Sequence, residues 1–227
     1  MSKPANFETD IIQTADGELE ITFLGHGTLM FRCQDQVIHI DPYSSVADYT
    51  RLPKADLVLI THEHGDHLDP QALSIIRQKD TLVVANQAAV ESIPDSIVLQ
   101  NGQTANFAGF QIEAVPAYNI VHKRESGGPF HPKGRGNGYV LTLGGQRVYI
   151  AGDTEDIPEM NNLKAIDIAF LPMNLPYTMT PEMAARAAKR FRPRVLYPYH
   201  FGSTDTARLV QLLADEDDIQ VRIRSMA

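Results

Sequence analysis

The chain has one cysteine, no tryptophan and no long apolar run. Because Cys33 has no partner, an internal disulfide is excluded. No segment approaches the roughly 18 consecutive apolar residues of a transmembrane helix, and the first residues, MSKPANFETDIIQ, lack the apolar centre of a signal peptide. We therefore predict a cytoplasmic protein with no membrane span.

Basic residues are also scarce, since 20 Lys and Arg stand against 28 Asp and Glu, for a formal net charge of -8. Nucleic-acid binders contact phosphates through an excess of basic side chains, so we predict no nucleic-acid partner. The 227 residues are enough for a substantial core, and we interpret them as one domain spanning residues 1–227. The sequence does not identify the oligomeric state, and a homo-oligomer stays open.

Short β-type runs separated by turn residues dominate the chain, which shows no internal repeat. Helical patterns begin at Asp69–Pro70, at Thr180–Pro181 and near Asp205. The β-type runs are Leu19–Leu24, Thr28–Cys33, Val37–Ile40, Leu57–Ile60, Leu82–Ala85, Ile97–Leu99, Thr104–Phe107, Phe110–Val115, Tyr139–Leu143, Arg147–Ile150, Ile168–Leu171 and Val195–Tyr197. This arrangement predicts an α/β fold in which two β-sheets pack face to face and are covered by helices.

The stretch THEHGDHLD, residues 61–69, follows an apolar strand-like run and is crowded with ionisable side chains. With 8 His and 17 Asp in the chain, random placement would give the pattern HxHxDH in about one chain in a thousand. Imidazole nitrogens and carboxylate oxygens are ligands of Zn²⁺ and related ions. The pattern therefore predicts a metal site, in which His62 and His64 meet one ion and Asp66 and His67, beyond a glycine, meet a second.

Ionisable residues also stand at the ends of other predicted strands. Asp41 does so in HIDP, Asp153 in YIAGDT and His200 in YPYHFG. Four ligands cannot complete two metal sites, so these strand ends are candidates for the missing ligands. His26, between two glycines in LGHGT, is a candidate proton carrier or substrate contact.

The motifs THEHGDH, AGDT and YPYH, in this order and with IDP upstream, resemble those of the metallo-β-lactamase superfamily over nearly the whole chain. The resemblance implies an αββα sandwich of two mixed β-sheets flanked by helices, with a one- or two-metal site at one edge. The segments FLGHGTLMF, PKGRGNGYVL and LPYTMTPEMAA are similar to the branch that contains L-ascorbate-6-phosphate lactonase and many uncharacterised metal-dependent hydrolases. That branch is distantly similar to N-acyl phosphatidylethanolamine phospholipase D.

The resemblance also implies roles around one or two divalent metal ions, with Zn²⁺ expected and Mn²⁺ as the alternative. The implied roles are a first metal bound by His62 and His64, a second bound by Asp66, His67 and His200, Asp153 as the bridge, and Asp41 as a hydrogen-bond acceptor that fixes the ligand loop. In the reaction, Asp66 or His26 is expected to move protons.

One position departs from the family pattern. Where a further histidine of the first site usually follows a strand, this chain has PAYN at 116–119. Three hypotheses compete: His131 completes the site from the long loop, His122 does so, or the centre is mononuclear. We prefer His131, because Pro132 and the glycines after it define its loop. We expect Asn119 to be a hydrogen-bonding neighbour, since a neutral amide is a poor ligand for a transition ion.

The segment between Ala117 and Gly138 loses its apolar periodicity and is rich in Gly, Pro and basic residues. A loop of this length in a compact domain is usually functional, and positive charge beside the metals would attract a phosphate or carboxylate group. We therefore predict a small anionic substrate. The candidate substrate-binding residues are Lys133 and Arg135 from this loop, with Tyr118, Asn174 and Tyr177 as pocket walls.

Hydrolysis is the expected reaction class, because Zn²⁺ has no redox chemistry and acidifies a bound water. The leading hypothesis is a metal-dependent hydrolase that uses metal-activated hydroxide on a small anionic ester or lactone, with a phosphorylated sugar lactone as the specific candidate. A phosphodiesterase or phospholipase D-like hydrolase is the alternative among enzymes. A non-catalytic metal-binding protein is the alternative outside enzymes, and it predicts metal uptake without turnover.

Overall fold

In the computed structural model, which describes residues 7–226, the strands form two seven-stranded β-sheets, each in chain order. The first contains β1 (Glu8–Thr14), β2 (Gly17–Gly25), β3 (Thr28–Cys33), β4 (Gln36–Ile40), β5 (Leu57–Ile60), β6 (Leu82–Ala85) and β7 (Ile97–Val98). The second contains β8 (Thr104–Phe107), β9 (Phe110–Ala117), β10 (Gly136–Leu143), β11 (Gln146–Ile150), β12 (Ile168–Pro172), β13 (Val195–Tyr199) and β14 (Gln220–Val221). In each sheet the first four strands are antiparallel and the remaining three join in parallel.

Helices cover the outer faces, and each α-helix begins at a side-chain cap. The helices and their caps are α1 (Pro70–Ile76) with Asp69, α2 (Gln87–Val90) with Asn86, α3 (Pro181–Phe191) with Thr180, and α4 (Thr206–Leu212) with Asp205. The cap oxygens accept backbone N–H groups that the first turn of a helix leaves unpaired. Two 3₁₀ helices span Tyr49–Arg51 and Pro158–Asn162. Within residues 7–226, no helix is long and apolar enough to cross a membrane.

The strand side chains alternate between a central core and two outer cores. Along β5, Leu57 and Leu59 belong to the core between the sheets, whereas Val58 and Ile60 pack with Ala72 of α1. This two-residue period explains why the whole of β5 is buried and apolar. On the other sheet, the alanine-rich face of α3 forms the second outer core. The predicted αββα architecture is therefore confirmed.

The observed bounds of β3, β5, β6 and β8 are those predicted, and the first three of these strands are largely buried. The sequence analysis missed β1, α2 and β14. The strand β1, with the sequence ETDIIQT, lies at a sheet edge and is mostly exposed, so it has no continuous apolar run. The elements α2 and β14, of 4 and 2 residues, are too short to show a period.

Candidate metal centre

The ligand loop, residues 61–69, leaves the carboxyl end of β5 in a tight turn. The backbone N–H groups of His67 and Leu68 donate to the carbonyl of His64 at 3.0 and 2.8 Å. Asp69 then caps α1 by accepting from two backbone N–H groups of its first turn. A buried strand and a capped helix therefore fix the two ends of this polar loop.

The first cluster, His62, His64 and His131, joins the ligand loop to the long loop between β9 and β10. His62 Nε2 lies 3.0 Å from His64 Nδ1, and the His131 ring centre lies 5.1 Å from that of His62 and 5.0 Å from that of His64. One ligand atom from each residue falls within 4.8 Å of the others. His122 is elsewhere, because its Nδ1 lies 2.7 Å from Glu155 Oε1. The structure therefore places His131, and not His122, beside His62 and His64.

Asn119 holds the His131 ring in one orientation. Its Oδ1 accepts hydrogen bonds from the backbone N–H of His131 at 2.8 Å and from the ring Nδ1 at 2.7 Å. A proton on Nδ1 leaves Nε2 free to accept, and Nε2 lies 3.3 Å from Asp153 Oδ2. Burial lowers the pKa of His131 to about 4, so the ring is neutral near pH 7. Asn119 is thus a hydrogen-bonding neighbour of a candidate ligand.

The second cluster contains Asp66, His67, His200 and His26. Asp66 Oδ2 lies 3.0 Å from His26 Nε2, 3.5 Å from His200 Nε2 and 3.6 Å from His67 Nε2. His200 enters from the end of β13, and its backbone N–H donates to the carbonyl of His26 at 2.9 Å. Although burial alone would raise the pKa of Asp66, the neighbouring imidazoles of His200, His26 and His67 hold it well below its usual value. The Asp66 carboxylate therefore stays ionised and available to a cation.

Asp153 lies between the two clusters and turns one oxygen toward each. Its Oδ2 lies 3.3 Å from His131 Nε2 and 4.0 Å from His62 Nε2. Its Oδ1 lies 3.5 Å from His67 Nε2 and 3.6 Å from His200 Nε2. Although burial alone would raise the pKa of Asp153, the surrounding imidazoles hold it well below its usual value. A buried, ionised carboxylate therefore spans the two groups of imidazoles.

Several atoms that converge on this centre lack a protein partner. Within residues 7–226, the buried atoms His67 Nε2, His200 Nε2 and Asp153 Oδ1 have no hydrogen-bond partner. Buried polar atoms are nearly always paired, so these three require an explanation. A divalent cation would satisfy all of them, and imidazole with carboxylate is a donor set that Zn²⁺ prefers. The residues present therefore fit a metal centre.

Asp41, at the end of β4, holds the ligand loop from behind. Its Oδ1 accepts from the Thr61 N–H at 2.7 Å, and its Oδ2 accepts from Thr61 Oγ1 at 2.6 Å and from His67 Nδ1 at 2.7 Å. Although burial alone would lower the pKa of His67, the carboxylates of Asp153 and Asp41 raise it to about 10. The hydrogen bond to Asp41 places a proton on Nδ1 and turns Nε2 toward the centre, where a bound metal ion would displace the second proton that this raised pKa implies.

Three residues of the centre have a left-handed backbone conformation, with φ of 54° at His26, 46° at Asp41 and 46° at His200. Strain of this kind costs on the order of 1–3 kcal/mol per residue and clusters at functional sites. Gly27 is constrained by close packing, since a Cβ there would lie 3.0 Å from the His67 ring and 3.2 Å from the His200 ring. A side chain at position 27 would therefore require two candidate ligands to shift by a few tenths of an ångström.

Glu155 is a supporting residue that the sequence analysis missed. Its buried carboxylate accepts the backbone N–H groups of residues 120–122 at 2.6 to 2.7 Å and the Asn119 side chain at 3.3 Å. These contacts anchor the start of the loop that carries His131. The available sequence signal is an acidic residue two positions after Asp153, in AGDTE.

The two clusters open into a cavity of about 460 Å³. Asn174 and Tyr177, both predicted as pocket walls, line it together with Arg124 and Phe130. The rings of Phe130 and Tyr177 pack edge to face with their centres 5.0 Å apart. Aromatic, amide and cationic groups therefore surround the candidate metal ligands.

Of the other predicted substrate contacts, Lys133, Tyr118 and Arg135 do not line this cavity. Arg135 lines a smaller adjoining pocket together with His62 and His131. Lys133 Nζ donates to Glu159 Oε1 at 2.6 Å, and the Tyr118 hydroxyl donates to Glu159 Oε2 at 2.9 Å. The Arg135 guanidinium forms an ion pair with Glu63, inside the ligand loop. Both basic side chains are therefore paired with carboxylates that are distant from them in the sequence.

Comparisons with known proteins agree with this architecture. A family model described as "Beta-lactamase superfamily domain" matches residues 20–200, a range that contains both clusters. The chain is 30% identical over 196 residues to a UPF0173 metal-dependent hydrolase of Pelotomaculum thermopropionicum, covering 82% of this chain and 85% of that protein. It is 34% identical over 205 residues to a UPF0173 metal-dependent hydrolase of Nitratidesulfovibrio vulgaris, covering 82% and 81%.

Solved structures show the same likeness. A protein of Parabacteroides distasonis, assigned as a metal-dependent hydrolase, superposes with a TM-score of 0.93 at 51% identity, over 98% of this chain and 100% of that chain. Igni18, a metallo hydrolase of Ignicoccus hospitalis, superposes with a TM-score of 0.75 at 27% identity, over 92% and 96%. The chain therefore belongs to the metallo-β-lactamase superfamily.

Proposed function

We propose that the chain is a hydrolase that acts on a small anionic ester or lactone and depends on two divalent ions. The observation that carries the proposal is the position of Asp153, whose two oxygens face separate groups of imidazoles. The first ion would be held by His62, His64 and His131, and the second by Asp66, His67 and His200, with Asp153 between them. Zn²⁺ is the proposed metal and Mn²⁺ the alternative, since both accept nitrogen and oxygen ligands.

The chain's own groups supply a proton route beside the proposed ions. Bound divalent cations would polarise a carbonyl or phosphoryl oxygen and acidify water. Asp66 Oδ2 and His26 Nε2 lie 3.0 Å apart, close enough to share a proton. The His26 side chain is 21% exposed, whereas the His67 side chain is fully buried. His26 is therefore better placed than His67 to exchange protons with solvent.

A phosphorylated sugar lactone is the specific substrate that the family resemblance suggests, and a cavity of about 460 Å³ is of a size suited to a small molecule. A phosphodiesterase or phospholipase D-like activity is the second candidate, and one observation favours it. Exposed apolar side chains lie on the two loops that also carry the cavity residues Arg124 and Asn174, with Ile120 and Val121 48% and 61% exposed and Leu175 42% exposed. Such a rim suits a substrate with an apolar chain.

Metal analysis of the purified protein, combined with a hydrolysis panel, tests the proposal. The panel holds a phosphorylated sugar lactone, 4-nitrophenyl acetate, bis(4-nitrophenyl) phosphate and a short-chain phospholipid. We expect about two metal equivalents per chain and turnover of the lactone or ester, with both reduced in His67→Ala. Absence of bound transition metal after chelator-free purification would refute the proposal. Metal uptake without turnover of any substrate would instead support a non-catalytic metal-binding protein.

A further inference from the structure

Arg124 lies in the wall of the cavity beside the two clusters and, among residues 7–226, pairs with no acidic side chain. Arg124 lines the same cavity as His64, Asp66 and His200. Among residues 7–226, its side chain forms no ion pair, and its one hydrogen bond runs from Nη2 to the carbonyl of Phe130 at 3.1 Å. Since guanidinium carries five N–H donors, most of them remain available to a ligand.

The other basic residues of the long loop do not have this position. Lys133 and Arg135 are paired with Glu159 and Glu63, and Lys123 does not line the cavity. Arg124 is therefore the basic residue of this loop that lines the cavity, whereas Arg135, paired with Glu63, lines the smaller pocket beside His62 and His131.

The exposed Arg124 side chain is oriented by an aromatic ring, and its backbone is fixed by a turn. Its guanidinium carbon lies 5.3 Å from the centre of the Phe130 ring, which packs in turn against Tyr177. Its backbone N–H donates to the carbonyl of Gly128 at 2.7 Å, and the Gly127 N–H donates to the Arg124 carbonyl at 2.8 Å, which closes the turn. A stacked, oriented guanidinium loses less conformational entropy on binding an anion than a free side chain does.

We propose that Arg124 binds the anionic group of the substrate, and that the adjoining Phe130 and Tyr177 rings contact a planar or apolar part of the same molecule. The substrate would then be an ester or lactone that carries a phosphate or carboxylate away from the bond that is cleaved. Guanidinium matches both anions with paired hydrogen bonds. This assignment rests on the proposed hydrolase function, so its test includes a measurement that needs no turnover.

The kinetic test compares two esters that share a leaving group, mono-4-nitrophenyl succinate, which carries a carboxylate, and neutral 4-nitrophenyl acetate. The measured quantity is the ratio of their kcat/KM values. We expect the ratio to fall at least about tenfold in Arg124→Gln and less in Arg124→Lys, which keeps the charge without the paired geometry. The controls Lys123→Gln and Lys133→Gln remove one charge from the same loop and should keep the ratio within about twofold.

The binding test titrates phenylphosphonate, which joins an anion to a planar ring, into the metal-free protein and its variants. We expect the Kd to rise at least about tenfold in Arg124→Gln and to change little in Lys133→Gln. Equal effects of the two substitutions, or none from Arg124→Gln, would overturn the assignment. Failure of the wild-type protein to hydrolyse these esters or any substrate of the hydrolysis panel, with Arg124-dependent phenylphosphonate binding intact, would refute the proposed function and leave the anion site standing.

Discussion

Replacing Asp41 with asparagine tests how the chain presents His67 to a metal. The substitution preserves the shape of the side chain, and asparagine tolerates the left-handed backbone at this position. The native carboxylate accepts three hydrogen bonds, one on Oδ1 from the Thr61 N–H and two on Oδ2 from Thr61 Oγ1 and His67 Nδ1. An amide has one accepting oxygen and one donating nitrogen, so it cannot serve both positions.

Each orientation of the new amide weakens the centre. If its nitrogen faces His67, it donates to Nδ1 and moves the ring proton to Nε2, the atom that faces Asp153. If its nitrogen faces the Thr61 N–H instead, a buried donor loses its acceptor, at a cost of about 1–3 kcal/mol. Groups that orient metal ligands are worth about 10- to 100-fold in metal affinity, so we expect a loss of Zn²⁺ affinity in that range.

Competition against a chromophoric chelator measures this affinity, and Asp69→Asn is the matched control. Asp69 is a second aspartate next to the motif, but its carboxylate accepts from the backbone of Ser44 and from the first turn of α1. Its substitution should lower the Tm and keep the Zn²⁺ affinity within about twofold of the wild type. Wild-type Zn²⁺ affinity in Asp41→Asn would refute the reasoning, as would equal losses in the two variants.

Two further predictions concern the long loop and the chain termini. His131→Ala should lose about one metal equivalent, whereas His122→Ala, whose ring pairs with Glu155, should keep both, and equal stoichiometry in the two would contradict the assignment. Asp10 pairs with Arg224 at 2.8 Å. Changing Asp10 to Asn should lower the free energy of unfolding by about 2 kcal/mol and the Tm by about 4–8 °C. Although burial opposes it, hydrogen bonds from its partners hold the pKa of Asp10 below its usual value. The difference in Tm should therefore be full above about pH 4, the ordinary pKa of an aspartate, and narrow as the pH falls below that value, and a constant difference would contradict the prediction.

The central strands and the ligand loop could be predicted from sequence because their signals are local. A strand buried on both faces, such as β5, is a continuous apolar run, and the motif that follows it holds four candidate ligands within six residues, 62–67. His131 was harder to predict, because it lies in a loop without periodicity. The fold between β9 and β10, with Asn119 as its anchor, brings it to the first cluster.

Charge counting along the long loop could not separate free cations from paired ones. Lys133 and Arg135 are neutralised by Glu159 and Glu63, which are distant in sequence, so nothing near either residue signals the pairing. Arg124 has the same local composition around it but lies against Phe130 in the cavity wall. Predicting which basic residue faces the cavity therefore requires the tertiary structure.

The two clusters draw their side chains from both halves of the chain, and Asp153 stands between them. His62, Asp66 and His67 come from the sheet of β1–β7, whereas His131, Asp153 and His200 come from the sheet of β8–β14 and its loops. A divalent cation at this edge would thus act as a reversible cross-link between two halves that share the same strand topology. Chelation would remove this link at one edge while the apolar core between the sheets stays packed. The metal content would therefore set the stability of the contact between the two halves at that edge.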